Sequence, residues 1–317
     1  MKLNRRKFIK KGLFATLGSY LLPNFILNNE LNAKILSAPA YKPDPLSWTD
    51  EQVSLAWIGH STVLIKLYDK WIITDPVLMD RIGLYFFGGS LGPSRITPPA
   101  LTVEEIPKPD IILLSHAHMD HMDYPTLKAI SEKYPNQIDV ITAYLTMDVI
   151  EDLEWKSLTE IDWGESIKIH GIEFTALEVK HFGWRFPWEK DRSRGYFYDG
   201  RSFNAYLIKN NGTNILFGGD TAMTDKLRAV QTENIDIAIM PIGAYNPWKT
   251  NHCNPEEAMI MADEIKAKHF VPIHCKTFQQ GREPVDEPLR WVRESSEKYA
   301  INLALDDIGK SFNLPLT

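Results

Sequence analysis

One short segment of the chain brings together four side chains of the kinds that bind metal ions. His116, His118, Asp120 and His121 lie within the run Ser115-His116-Ala117-His118-Met119-Asp120-His121. Imidazole nitrogens and a carboxylate are the ligands that a borderline cation such as zinc prefers. Four such groups are too crowded for one tetrahedral ion that keeps an open position. The spacing therefore predicts two ions that share this loop.

The elements that position this loop alternate along the chain. Short apolar runs predict strands at residues 53–58, 62–67, 71–74, 111–115, 140–142, 167–180 with a turn near His170-Gly171, 203–209, 214–217, 237–240 and 270–273. Helices are predicted at residues 124–134, 146–154, 224–230, 255–268 and 287–299. Early strands in hairpins followed by alternating strands and helices fit two facing sheets with helices outside. The segment with the four ligands then lies on the loop after a strand, where α/β proteins build their sites.

Composition is that of an ordinary globular protein, and charge excludes one class of function. The 317 residues are 44% hydrophobic and 24% charged, with a formal net charge of −6. Residues 1–40 carry seven Lys or Arg and one Glu, so the remainder carries −12. Such acidity argues against sequence-independent binding to nucleic acid, which needs a basic surface. The two cysteines are too few for a disulfide framework.

The N-terminal 40 residues have the pattern of an export signal. Asn4-Arg5-Arg6-Lys7-Phe8-Ile9-Lys10 is a twin-arginine pattern, an apolar stretch follows at residues 12–27, and Ala38-Pro39-Ala40 supplies small residues for a peptidase. We expect a twin-arginine signal peptide at 1–40, one domain at 41–317, contact with the twin-arginine translocon, and a periplasmic or extracytoplasmic location. A basic tail or an uncleaved anchor is the alternative.

The ligand-rich run matches H-x-H-x-D-H, and through it the chain resembles the metallo-β-lactamase superfamily. His181, Asp220 and His274, each just past a predicted strand, supply the downstream pieces of that pattern. The resemblance implies an α/β, four-layer αβ/βα sandwich. It also implies a first zinc held by His116, His118 and His181, a second held by Asp120, His121 and His274, and Asp220 bridging both.

Within the superfamily, the chain resembles the N-acylphosphatidylethanolamine-hydrolysing phospholipase D branch over nearly all of residues 53–280. The motifs are Trp57-Ile58-Gly59-His60-Ser61-Thr62, Thr74-Asp75-Pro76, Met240-Pro241-Ile242-Gly243-Ala244-Tyr245 and His252-Cys253-Asn254-Pro255-Glu256-Glu257-Ala258. The resemblance implies a zinc-dependent phosphodiesterase acting on phospholipid. Manganese or iron would also accept these nitrogen and oxygen ligands.

Neighbouring residues are expected to support the ligands. His60 and His252 line the pocket or hydrogen-bond to the ligands, and Asp75 and Asp123 support the ligand loops. Some lactam-cleaving members use a thiolate on the second zinc, but this chain has Asp220 at that position. Cys253 and Cys275 instead adjoin His252 and His274, which favours hydrolysis of phosphoesters or esters over cleavage of antibiotics.

The expected mechanism is attack on phosphorus by a hydroxide formed between the two ions. Asp120 and Asp220 orient that nucleophile, and His252 or a water supplies the proton that the leaving alcohol needs. Arg185 and Tyr245 are the predicted substrate contacts. Residues 181–201 carry five basic and three acidic side chains among seven aromatic ones, a pattern that suits a phosphate or equally an ordinary packed loop. The apolar loop 82–89 fits either lipid contact or the core.

Two other functions remain open from the sequence. A lactonase or carboxylic-ester hydrolase would use the same ligand set, since hydroxide also attacks carbonyl carbon. A non-catalytic metal-binding exported protein is the alternative of another class, although a binder need not keep a bridging carboxylate. The predicted substrate is thus a phospholipid or another small ester, with a peripheral contact to a membrane surface left open.

Overall fold

The computed structural model describes residues 38–315 and shows two seven-stranded sheets that face each other. The predicted signal peptide lies outside the described residues except for Ala38-Pro39-Ala40. The strands are β1 (Gln52–Gly59), β2 (Thr62–Leu67), β3 (Lys70–Thr74), β4 (Leu84–Phe86), β5 (Gly89–Leu91), β6 (Ile111–Leu113), β7 (Asp139–Ala143), β8 (Ser157–Ile161), β9 (Ser166–Ile169), β10 (Ile172–Glu178), β11 (Asn204–Asn210), β12 (Thr213–Phe217), β13 (Ile237–Pro241), β14 (His269–Ile273), β15 (Asn302–Leu303) and β16 (Ser311–Pro315).

Strand direction brings the loops of the site to one edge of each sheet. The first sheet has the order β16-β1-β2-β3-β6-β7-β8, and the second has the order β15-β14-β13-β12-β11-β10-β9. In the first sheet β1, β3 and β6 run in the same direction, because β2 is antiparallel to both β1 and β3 and β6 is parallel to β3. In the second sheet β11 is antiparallel to both β10 and β12, and β13 and β14 continue parallel to β12. Strands β10, β12, β13 and β14 therefore share one direction. The loops after these strands therefore lie side by side.

The core lies between the sheets and continues beneath the helices. Alternate residues of β1 point to opposite faces, so Leu55 and Trp57 join the cluster between the sheets while Ala56 and Ile58 join the outer cluster. All four are fully buried. A strand covered on both faces belongs to a layered sandwich rather than to a sheet with one wet face.

Four helices are described: α1 (Tyr124–Lys133), α2 (Tyr245–Trp248), α3 (Pro255–Glu264) and α4 (Glu287–Ser295). Helix α1 packs on the outer face of the first sheet through Leu127 and Ile130, and α3 and α4 share a cluster with the second sheet. Asn254 caps α3 through a reciprocal pair of hydrogen bonds with Glu257. The layers are thus helix, sheet, sheet, helix, which confirms the predicted αβ/βα sandwich.

Several predicted helices are shorter than expected. In place of a helix at 146–154 there is a single 3₁₀ turn, Met147–Val149, in which the backbone N–H groups of Val149 and Ile150 donate to the carbonyls three residues before them. The predicted helix at 224–230 is the 3₁₀ turn Lys226–Val230. Within residues 38–315, no helix combines the length and apolar character needed to span a bilayer.

Candidate metal centre

Loops from both sheets converge at the shared edge and carry seven candidate ligands. The loop after β6 carries His116, His118, Asp120 and His121, while the second sheet contributes one residue after each of three strands. His181 follows β10, Asp220 follows β12 and His274 follows β14. The ligand atoms fall into overlapping groups whose members lie within 4.8 Å of one another. The structure therefore brings together all seven residues that the sequence predicted.

The first group consists of three imidazole rings. Nε2 of His116 lies 2.7 Å from Nδ1 of His118, and Nε2 of His181 lies 3.3 Å from the same Nδ1. Burial lowers the pKa of His118 to about 4 and that of His181 to about 3, so both rings are neutral at pH 7. Three neutral rings that turn nitrogens toward one point provide the donor set of a cation site.

The second group adds carboxylates. Oδ2 of Asp120 lies 3.4 Å from Nε2 of both His121 and His274. Oδ2 of Asp220 lies 3.1 Å from each of these nitrogens and 3.8 Å from Nε2 of His181. Asp220 therefore lies between the two groups, as a bridging ligand must.

Hydrogen bonds behind the rings fix their orientation. Nδ1 of His121 donates to Oδ2 of Asp75 at 2.7 Å, and Nδ1 of His181 donates to the carbonyl of Asn251 at 2.8 Å. Nδ1 of His116 contacts Oγ of Ser115 at 2.9 Å, and that hydroxyl donates to Asp75. The rings of His116, His121 and His181 thus carry a proton on Nδ1 and present Nε2 to the centre, the arrangement typical of metal-binding histidines.

The two predicted supporting aspartates differ in what they hold. Oδ1 of Asp75 accepts from the backbone N–H of Ser115 at 2.7 Å, so this buried carboxylate anchors the ligand loop as well as His121. Asp123 caps α1, accepting from the backbone N–H of Thr126 at 3.2 Å. Asp123 therefore fixes the end of the ligand loop to the helix that follows.

Three further side chains border the centre. His60, on the turn after β1, places Nε2 3.0 Å from Oδ2 of Asp120. Gln280 donates from Nε2 to the same oxygen at 2.7 Å. His252 places Nδ1 3.6 Å from Oδ2 of Asp220. Gln280 carried no sequence signal, because it lies outside every motif and reaches the centre only through the fold.

The carboxylates and the histidine rings of the centre shift one another's pKa values. Burial opposes charge on Asp120 and Asp220, but the neighbouring histidines hold both pKa values well below the usual range. Burial likewise opposes charge on His274, yet Asp220 and Asp120 raise its pKa to about 9. The same carboxylates, with Asp75, raise the pKa of His121 well above its ordinary value. In the metal-free protein, protons on His121 and His274 therefore offset the carboxylates.

The residues present fit the expected cations. Oδ1 of Asp220 is buried and has no hydrogen-bond partner within the described part of the chain. Buried polar atoms are normally paired, so unpartnered atoms of ligand type suit a bound ion. Neither cysteine takes part: both are buried, and Sγ of Cys253 donates to the carbonyl of Pro241 at 3.1 Å. The donor set is thus made of nitrogen and oxygen, which suits zinc and also manganese or iron.

The predicted substrate residues are held by other parts of the protein. Arg185 is half-buried, and its Nη1 donates to the carbonyls of Ala117 and Met122 at 2.8 and 2.9 Å. Arg185 therefore braces the ligand loop. The hydroxyl of Tyr245 donates to Oε1 of Glu287 at 2.6 Å. A substrate contact for either residue stays a prediction.

The other basic side chains of residues 181–201 are also engaged within the molecule. Their partners are acids or carbonyls: Lys190 with Asp199, Arg192 with Asp162, Arg194 with the carbonyl of Pro187, and Arg201 with Asp148 and Glu189. This segment therefore does not present a ready cluster of unpaired positive charge for a phosphate.

Fold and centre together define a metallo-β-lactamase fold with a candidate metal site, and comparison with known proteins gives the family. The family model of the β-lactamase superfamily domain matches residues 70–275. The chain therefore belongs to the β-lactamase superfamily, and the match together with the seven convergent side chains supports a metal-dependent hydrolase.

Named relatives agree with this placement. The N-acyl-phosphatidylethanolamine-hydrolyzing phospholipase D 1 of Caenorhabditis elegans is 31% identical over 237 residues, 71% of this chain and 64% of that protein. An uncharacterized protein of Mycobacterium tuberculosis is 27% identical over 278 residues, 84% of this chain and 70% of that protein. The solved isothiocyanate hydrolase from Delia radicum gut bacteria shares the fold, with a TM-score of 0.63 at 15% identity, covering 83% of this chain and 99% of that one.

Proposed function

We propose that the protein is a zinc-dependent phosphodiesterase that hydrolyses a phospholipid resembling N-acylphosphatidylethanolamine. The observation that carries the proposal is the convergence of two ligand groups on Asp220, which suits a two-cation hydrolytic centre. Similarity to the Caenorhabditis elegans phospholipase supports the choice of a phosphodiester.

Bound cations would supply Lewis-acid polarisation and would activate water near neutral pH. His116, His118 and His181 would hold one cation, and Asp120, His121 and His274 the other, with Asp220 shared. His252 is neutral at pH 7, because burial lowers its pKa to about 3. The N–H of that neutral ring is the group to which we assign hydrogen bonding to the leaving oxygen.

The hairpin of β4 and β5 supports contact with a lipid surface. Leu84 and Leu91 form a cross-strand pair, so these two side chains share one face of the hairpin with Phe86, and Phe87 is 96% exposed at the tip. Tyr85, on the opposite face, contacts Tyr124 at the start of α1, directly after the ligand loop. An apolar face next to the site would place the centre near the headgroups.

Replacing Phe87 by serine should therefore reduce sedimentation with phospholipid vesicles. Leu46→Ser is the matched control, because Leu46 is 90% exposed but precedes β1, at the opposite edge of the sheet. Equal loss in both variants would refute a membrane contact through the hairpin.

A second candidate is hydrolysis of a lactone or carboxylic ester at the same centre. The engagement of Arg185 with two loop carbonyls favours this alternative, because it removes a cation expected to select phosphate. Mass spectrometry of a lipid panel beside a lactone panel, with the zinc-loaded protein, separates the two. Release of phosphatidic acid, absent in His116→Ala, is the expected result. Turnover of lactones without any phosphodiester would overturn the phospholipase assignment.

We also propose export by the twin-arginine route, on the basis of Arg5 and Arg6 in the sequence. Replacing both by lysine should leave the full-length protein in the cytoplasm on cell fractionation. Unchanged recovery from the periplasm would contradict this route.

A further inference from the structure

The carboxylate of Asp120 is held from two sides by side chains outside the predicted ligand set. His60 and Gln280 place their Nε2 atoms 3.0 and 2.7 Å from Oδ2. Within residues 38–315, the hydrogen bonds and ion pairs of Asp120 all use Oδ2. Oδ2 also lies 3.4 Å from Nε2 of His121 and from Nε2 of His274, so the two contacts hold this oxygen among the donor atoms of the second group.

His60 is itself rigidly placed. Its side chain is buried, and its backbone N–H donates to Oγ1 of Thr277 at 2.7 Å. Its carbonyl accepts from Nε1 of Trp57 at 2.7 Å and from the backbone N–H of His274 at 2.9 Å. The turn after β1 is therefore tied to the loop that carries both His274 and Gln280.

In both contacts Asp120 is the hydrogen-bond acceptor. Gln280 carries a neutral amide that can only donate from Nε2, and a hydrogen bond from His60 to a carboxylate requires the proton on its Nε2. Two donors on Oδ2 restrict rotation of the carboxylate and so hold Oδ2 beside Nε2 of His121 and of His274. Outer hydrogen bonds of this kind typically change metal affinity by about 10- to 100-fold.

We infer that His60 and Gln280 are positioning residues that aim Asp120 at the second cation. The inference rests on the proposed two-cation centre but not on the identity of the substrate. The competing role for His60 is direct ligation, since its ring nitrogen belongs to the same group of donor atoms as Asp120, His121 and His274.

Zinc titration against a chromogenic chelator tests the inference without any activity measurement. The full-length protein is stripped of metal and compared with His60→Leu, His60→Gln and Gln280→Leu. Gln279→Leu is the matched control, because Gln279 lies in the same loop but donates to the carbonyls of Gly281 and Glu283. Urea unfolding of each stripped variant reports structural damage separately.

Positioning predicts that His60→Leu and Gln280→Leu weaken only the second zinc, by about 10- to 100-fold. His60→Gln should bind more tightly than His60→Leu, since its amide restores a donor near the position of Nε2. Equal loss in His60→Gln and His60→Leu would overturn the inference in favour of direct ligation, and wild-type affinity in Gln280→Leu would also overturn it. If His60→Leu does not fold, the inference is tested by comparing the affinity of Gln280→Leu for the second zinc with that of Gln279→Leu. A wild-type protein that binds one zinc overturns the two-cation centre and this inference together.

Discussion

Replacing Gly219 by alanine tests whether the close approach of two loops positions Asp220. Gly219 has φ +57, and a Cβ there would lie 2.7 Å from Cβ of Ser115 and 2.8 Å from the carbonyl oxygen of Asn204. Both contacts are shorter than a methyl group tolerates. The loop carrying Asp220 would have to move away from the loop carrying His116.

The expected cost has two parts. Alanine in the left-handed region costs about 1–2 kcal/mol, and overpacking a close contact adds about 1–3 kcal/mol. Gly212→Ala is the matched control, since Gly212 also has positive φ, +82, but a Cβ there meets nothing within 4 Å. Gly212→Ala should therefore lose only the free energy of unfolding that the left-handed backbone costs.

Urea unfolding in the presence of chelator measures both variants without any contribution from bound metal. We expect Gly219→Ala to lose about 2–5 kcal/mol of unfolding free energy and also to weaken zinc binding, with Gly212→Ala losing less and binding normally. Equal losses in the two variants, with wild-type zinc affinity in both, would refute the argument that this contact positions Asp220.

Three other perturbations follow from the site. Asp75→Asn removes the charged acceptor of His121 and should weaken zinc binding by about 10- to 100-fold in chelator competition; unchanged affinity would show that Asp75 does not orient that ring. The pKa of His274 is raised to about 9, so protonation stabilises the metal-free fold fully below about pH 6.5, and that stability is lost as the pH rises through about 9. In chelator, the urea midpoint should therefore decrease as the pH rises from about 6.5 to about 9, whereas with bound zinc it should not. The same pH dependence of the midpoint with and without zinc would contradict the pKa shift. Arg185→Ala should lower zinc affinity and slow both phosphodiester and ester hydrolysis, since Arg185 braces the loop; a selective loss of phosphodiester turnover would instead establish a substrate contact.

Sequence patterns predicted the parts of the site that depend on local order. The loop at 116–121 follows an apolar strand, so its ligand spacing and its place at a strand end can both be read along the chain. His181, Asp220 and His274 were predictable for the same reason, once a family pattern linked them. Their convergence follows from the common direction of β10, β12 and β14.

Features that depend on contacts between distant segments were not predictable in this way. Gln280 reaches Asp120 across 160 residues of sequence, and Arg185 finds loop carbonyls rather than a free surface. The helix expected at 146–154 is instead a single 3₁₀ turn, and Glu160 on a neighbouring strand accepts from the backbone N–H groups of Thr146 and Met147 at its start. Strand β8 itself was missed, since its residues are mostly half-buried and carry no alternating apolar pattern.

The most direct test of the two-cation centre is an anomalous difference map from a crystal of the zinc-loaded protein. Two peaks are predicted, one bounded by His116, His118 and His181, the other by Asp120, His121 and His274. Asp220 should lie between the peaks and contact both. A single peak, or no peak after zinc addition, would contradict the proposed centre.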